Sequence, residues 1–164
     1  ALEQLEKAFG DFPNLPAVIA NSPKLINSLV GLFGQVHSPG LSEAENQIVL
    51  LTDAVTNSSA YAVAFHTALA LQQGVSSEDT TAIRERRLPT DKRFAALSAL
   101  AKTLIEKRGH VSDQELDAFL SAGFTKEQVL EVVTIVAAST ITNYTGTIAN
   151  PPLDETFRQY AWQS

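Results

Sequence analysis

No cysteine occurs among the 164 residues, which excludes disulfides, thiolate metal sites and thiol nucleophiles from this chain. Redox chemistry would need another atom. Charge is scarce as well: Asp, Glu, Lys and Arg supply 18% of the residues, below the usual quarter or so, so much of the surface must be covered by something other than ions. Self-association into a homo-oligomer is the expectation. Positive charge is the rarer sign, with 12 Lys and Arg against 18 Asp and Glu for a net charge of −6. The one basic run, Arg84 to Arg87, reads as a solvated helix end, so no nucleic acid is expected. There is no Gly-x-Gly-x-x-Gly or phosphate loop, so no nucleotide cofactor is indicated. The longest nearly apolar run, Ala60 to Leu71, is about twelve residues where a membrane span needs roughly twenty, and no N-terminal segment has the form of a signal peptide. No membrane partner is expected, and the default compartment is the cytoplasm. His37, His66 and His110 lie on separate segments without metal-ligand spacing, so no metal site is predicted.

What remains is the punctuation of an all-α protein. The length fits one helical domain over 1–164, large enough to bury a real core. Ser42 followed three residues later by Glu45 forms a capping box, a pattern repeated at Ser112 with Glu115 and at Thr125 with Gln128. Ser22 before Pro23 opens another helix, since proline at the first helical position forfeits a hydrogen bond that would be unmade anyway. Gly74 and Gly109 sit where a left-handed residue closes a helix. These signals predict a short helix near Leu2 to Phe9, a turn around Pro13 to Pro16, and helices over 23–36, 43–56, 58–73, 77–86, 91–108, 113–122 and 126–148, with a terminal turn after Pro152. The β-branched run Val132 to Thr142 competes as a strand, but its length and the upstream cap favour helix. Gly40-Leu41-Ser42 with Glu45 is echoed by Gly123-Phe124-Thr125 with Gln128. Both a pseudo-twofold repeat of helix pairs and two ordinary capping boxes fit that echo.

The segment 41–74 carries the candidate site. Between Asn57 and Leu71 the apolar residues surround the helix axis, and a helix apolar on all sides is buried on all sides. The preceding helix, with Ile48 to Leu51, Ala54 and Val55, is nearly as apolar, and the short Thr56-Asn57-Ser58 link makes the two an antiparallel or sharply angled pair. His66 is the readily ionised side chain of the second helix, so it must either find a hydrogen-bond partner in the core or line a pocket. Tyr144 and Asn143 are odd polar residues in an apolar stretch. Asn143 either reaches the pocket or satisfies a neighbouring backbone group. Trp162 and Tyr160 read as anchors for the C-terminal tail.

The stretch LSEAENQIVLLTDAVTNSSAYAVAFHT from Leu41 to Thr67 resembles the core motif of the alkylhydroperoxidase D-like, or carboxymuconolactone decarboxylase, family, in its peroxidase-related branch. DFPNLPAVIANSP at Asp11 to Pro23, and the stretch from Val132 to Pro151 leading to Asp154 and Trp162, extend the likeness over most of the chain. The resemblance implies a compact helical fold and symmetric dimers, trimers or hexamers. It also implies a Cys-x-x-Cys pair whose positions here are Ser59 and Ala62, a glutamate whose position is Gln47, and a histidine, present as His66, with Tyr61 matching too. In thiol-using members the resemblance implies a nucleophilic thiolate at the second cysteine position and a proton relay through glutamate and histidine. A thiol at 62 would sit one turn from His66, but alanine has nothing to ionise. Ser59 lies about 10 Å along the axis from His66, beyond hydrogen-bond reach, and Gln47 cannot move a proton as a carboxylate does. Three functions stay open: a thiol-independent enzyme or ligand-binding member, with His66, Gln47, Tyr61 and Asn143 around a small molecule; a non-catalytic structural oligomer; and a cysteine-substituted alkylhydroperoxidase.

Overall fold

A computed structural model describes residues 13–163. Its helices are α1 (Asn14–Ile19), α2 (Pro23–Val36), α3 (Glu43–Thr56), α4 (Ala60–Gln72), α5 (Ser77–Arg84), α6 (Lys92–Glu106), α7 (Asp113–Ser121) and α8 (Lys126–Ala149), followed by a 3₁₀ turn over Glu155–Tyr160. The described residues contain no strand, and the β-branched run lies inside α8. The helix expected near Leu2 to Phe9 falls outside the described residues. All three capping boxes form, at Ser42, Ser112 and Thr125, and Ser22 accepts from the Leu25 amide with Pro23 at the first helical position. Gly74 and Gly109 both take φ of 83°, a conformation that costs a residue with a Cβ but not glycine.

Two expectations need correction. The turn predicted at Pro13 to Pro16 is the start of α1: Pro13 caps it and Pro16 occupies its first turn, where a missing N–H loses no helical bond. Arg84, read as part of a solvated run, is half-buried. Its guanidinium donates to Thr67 Oγ1 at 3.0 Å and to the carbonyls of Tyr160 and Ala161 at 2.9 and 3.1 Å. The Trp162 indole in turn donates to the Arg84 carbonyl at 3.0 Å, so the C-terminal tail is tied to α5 by that one arginine.

Helix α3 is the centre of the arrangement. It packs on α4, α5, α6 and α8, and every residue from Glu45 to Val55 is buried. Ile48 to Leu51, Ala54 and Val55 drive that burial, and Glu45, Asn46, Gln47, Thr52 and Asp53 are carried into the interior with them. Helix α8 crosses α1, α2, α3, α4 and α6 and ends at Asn150 in the left-handed region, with Pro151 and Pro152 beyond. By length and composition alone α8 is apolar enough to cross a membrane, although the longest nearly apolar run, Ala60 to Leu71, lies in α4.

Candidate functional site

Asn57 and Ser58 turn the chain from α3 into α4. The Ser59 amide donates back to the Ala54 carbonyl at 2.9 Å, and Ser58 adopts φ of 53° with its hydroxyl held by Arg86 at 3.0 Å. In an antiparallel pair, residues equidistant from the turn face one another. Gln47 and His66 do so: Gln47 Oε1 lies 3.0 Å from His66 Nδ1. The amide oxygen accepts, so Nδ1 carries the ring proton and Nε2 is left as an acceptor.

Burial, reinforced by the His37 charge, pushes the His66 pKa down to about 3. The imidazole is therefore neutral across the working pH range, and its basicity is far from the near-neutral value that suits a general base. It makes an edge contact with Phe65, ring centroids 5.1 Å apart.

The two positions of the absent thiol pair diverge. Ala62 lines a cavity of about 60 Å³ together with Leu15, Phe33, Tyr61, Phe65 and His66. Ser59 lines a wider, more open cavity of about 410 Å³ between the start of α4, the end of α8 and the tail, with Gly146, Pro151, Leu153 and Trp162 among its walls. Tyr61 belongs to both. Its hydroxyl donates to Asp154 Oδ2 at 2.5 Å and accepts from the Leu15 amide at 3.4 Å, while the Asn14 amide donates to Asp154 Oδ1 at 3.1 Å. Burial and then the Asp154 contact raise the Tyr61 pKa, so the phenol remains a donor. Tyr61 is thus the partition between the two cavities, latched to the tail.

Ser59 is the N-cap residue of α4 but makes no capping bond, and its buried hydroxyl has no partner among the described residues. Asn143 is buried on α8 and lines neither cavity, and neither of its amide atoms has a partner among the described residues. Neither of the roles read for it from the sequence, reaching the pocket or bonding a neighbouring backbone group, is seen. Tyr144, beside it, is exposed. Sequence reasoning passed over Asp53, fully buried in α3 and bonded through Oδ2 to Ser139 Oγ at 2.6 Å. An aspartate inside the run from Ile48 to Val55 was the available signal. Among the described residues no group of three or more His, Cys, Asp or Glu could hold a metal.

The model of the carboxymuconolactone decarboxylase family matches residues 23–103. No curated protein matches the chain by sequence. Among solved structures, an uncharacterized peroxidase-related protein from Silicibacter sp. TM1040 is similar with a TM-score of 0.82 at 15% identity, over 95% of this chain and 84% of that one. An alkylhydroperoxidase AhpD core protein from Ralstonia eutropha JMP134 gives 0.84 at 16%, over 95% and 84%. A cysteine-to-alanine variant of the debrominase Bmp8, in complex with 2,3,4-tribromopyrrole, gives 0.81 at 15%, over 97% and 86%. At these identities the likeness is one of fold.

Proposed function

Through residues 23–103 the chain belongs to the carboxymuconolactone decarboxylase family, and from that membership we propose that it is a thiol-independent member that binds a small molecule in the paired cavities on either side of Tyr61. The observation that carries this reading is the fate of the thiol positions: Ser59 and Ala62 open into two separate cavities, and neither can form a thiolate. A peroxide-reducing cycle needs a sulfur to oxidise and a second to resolve it, and these residues hold neither. What they do hold suits binding. The His66 Nε2 acceptor stands at the closed, apolar end, the Tyr61 hydroxyl at the partition, and Trp162 with Leu153 in the wider cavity. A few placed polar groups in an apolar enclosure is the composition of a ligand site. The debrominase variant lends support, because a protein of this fold with alanine in place of a cysteine is seen with a small halogenated heteroaromatic.

Trp162 is the one tryptophan of the sequence and lines the wider cavity, so its fluorescence is a direct readout. Tribromopyrrole serves as the probe, since its bromines quench indole emission. Saturable quenching is expected, weakened about tenfold by His66→Leu, a loss of about 1.4 kcal/mol. Absence of saturable quenching, or binding indifferent to His66→Leu and Tyr61→Phe alike, overturns the reading.

A second reading, assembly of several copies, is favoured by one feature of α8. From Val132 to Leu153 the sequence has no charged residue, yet Val133, Tyr144 and Ile148 within it are exposed, as is Leu130 just before it. In a chain of net charge −6, a charge-free face is where two copies can meet without repulsion.

A further inference from the structure

Four buried side-chain atoms have no hydrogen-bond partner among the described residues: Asp53 Oδ1, Ser59 Oγ and both amide atoms of Asn143. They are not scattered. Asp53 on α3 meets Ser139 of α8 at 2.6 Å, and seven residues later on α8 a Cβ placed at Gly146 would lie 3.6 Å from Ser59 Oγ. Ser139, Asn143 and Gly146 are spaced by four and three residues and all are buried, so they share one helical face. Asn143 therefore stands between the Asp53 contact and the Ser59 contact, and the orphaned atoms run in a line along the α3–α8 seam. The line ends at Ser59, in the wall of the 410 Å³ cavity.

Hydrogen-bond geometry assigns the proton at the inner end. Ser139 Oγ lies 2.6 Å from Asp53 Oδ2 and 3.1 Å from the Val136 carbonyl. Both are acceptors if Asp53 is ionised, and a hydroxyl has one proton to give. A protonated Asp53 resolves the conflict: its O–H donates to Ser139 Oγ, and the Ser139 hydroxyl donates to Val136. Electrostatics agrees, because burial outweighs the Ser139 bond and raises the Asp53 pKa to about 8. Among the described residues no charged group offsets that burial. His66 on α4 is neutral and turned to Gln47, Arg84 of α5 is engaged by Thr67 and the tail, Arg93 of α6 is engaged by Glu45, and α8 carries no charged residue after Glu131.

We propose that Asp53, Asn143 and Ser59 form one internal polar channel, bridged by ordered water, that connects a protonated buried acid to the wider cavity and can deliver its proton to a basic atom of a ligand bound there. Buried polar groups are satisfied by the chain or by ordered water, and a continuous row of them is the arrangement water bridges. In the transfer the Asp53 Oδ2–H bond breaks as its proton passes to Ser139 Oγ, the Ser139 hydroxyl gives its own proton to the bridging water and on to the ligand, and Asp53 is left as a carboxylate. The channel then returns a proton from solvent, and no electron is exchanged. Asp53 is a proton-holding residue at a distance from the ligand, not a group that touches it. The identity of the recipient rests on the ligand-binding reading above, whereas the state of Asp53 and its connection to the cavity are read without any ligand, so the two can fail separately.

The test is carbon NMR of the full chain labelled at the aspartate carboxyl, with Asp53→Asn, close in shape and uncharged, assigning the resonance by its loss. The Asp53 carboxyl should titrate near the raised value of about 8. On transfer to deuterated water, its proton should exchange rapidly in the wild type. Asn143→Leu, which plugs the line, should slow exchange roughly tenfold, to the pace of local opening. Should Asn143→Leu fail to fold, Ser59→Val closes the line at its outer end and is read in the same way. An Asp53 that is ionised at about pH 6, or exchange unchanged in a folded plugged variant, overturns the proposal.

Discussion

At the scale of single residues, Asp53 on α3 and His66 on α4, both buried, pull stability in opposite directions. Asp53 is raised from 3.8 to about 8, so between those values the folded chain holds a proton that the unfolded chain has released. Its contribution is fully present below 3.8 and is lost as pH climbs toward 8. His66 is lowered from 6.5 to about 3, so its contribution is fully present above 6.5 and is lost as pH falls toward 3. Each slope is close to 1.4 kcal/mol per pH unit. From about pH 4 to 6.5 they cancel, and above 6.5 only Asp53 acts. The expected profile of unfolding free energy, measured by urea titration at successive pH values, is therefore a plateau followed by a decline toward pH 8. In Asp53→Asn the plateau becomes a rise up to 6.5 and the decline vanishes. A variant that keeps the alkaline decline would place its origin elsewhere.

At the scale of elements, the start of α3 is more than a local cap. Ser42 Oγ accepts from the Glu45 amide and Glu45 Oε2 accepts from the Ser42 amide at 2.8 Å. Glu45 Oε1 accepts from Arg93 Nη2 at 2.7 Å, and the Arg93 guanidinium lies 4.0 Å from the centre of the Phe124 ring. Burial alone would raise the Glu45 pKa, but the Ser42 backbone bond and Arg93 outweigh it and the value falls. One carboxylate thus joins the first turn of α3, the first turn of α6 and the loop before α8. Ser42→Ala is expected to cost about 1 kcal/mol, as a lost cap does. Because Arg93 grips the same carboxylate, Ser42→Ala and Arg93→Ala should be non-additive by at least about 0.5 kcal/mol in a double-mutant cycle. The same cycle with Ser112→Ala, whose box lies on α7 apart from Arg93, should be additive. Equal coupling in both cycles would refute the shared-carboxylate account.

At the scale of the whole molecule, the distribution of charge decides how copies can meet. The acidic excess is carried elsewhere, and α8 offers an uncharged exposed stripe with Ile148 85% exposed near its end. Solitary exposed apolar residues are ordinary, but a run of them without interrupting charge is an interface signature. Sedimentation should give a multiple of the 17.7 kDa chain mass, and Val133→Glu combined with Ile148→Glu should return it to one chain with helicity unchanged. A wild type that sediments as a single chain at high concentration removes the assembly reading and leaves the ligand site untouched, since that site is built within one chain.

The sequence by itself determined the helical elements and their ends. Capping boxes at Ser42, Ser112 and Thr125, and the closures at Gly74 and Gly109, are decided by hydrogen bonds and dihedral angles within a few residues, so local reading suffices. It also determined that thiol chemistry is absent, because that needs only the identity of the side chains. The facing of Gln47 and His66 could be anticipated, since a short turn between two apolar helices leaves little freedom of register. Local reading failed at Pro16, where a proline tolerated in a first turn looks like a breaker, and at Arg84, whose partners in the tail lie 76 and 77 positions away. Only the tertiary structure decided that Ser59 and Ala62 open into different cavities, that Tyr61 latches to Asp154 across 93 positions, and that Asp53 meets Ser139 across 86. The physical reason is common to all three. Burial and proton affinity depend on which distant surfaces close over a side chain, and that is fixed by the packing of whole helices.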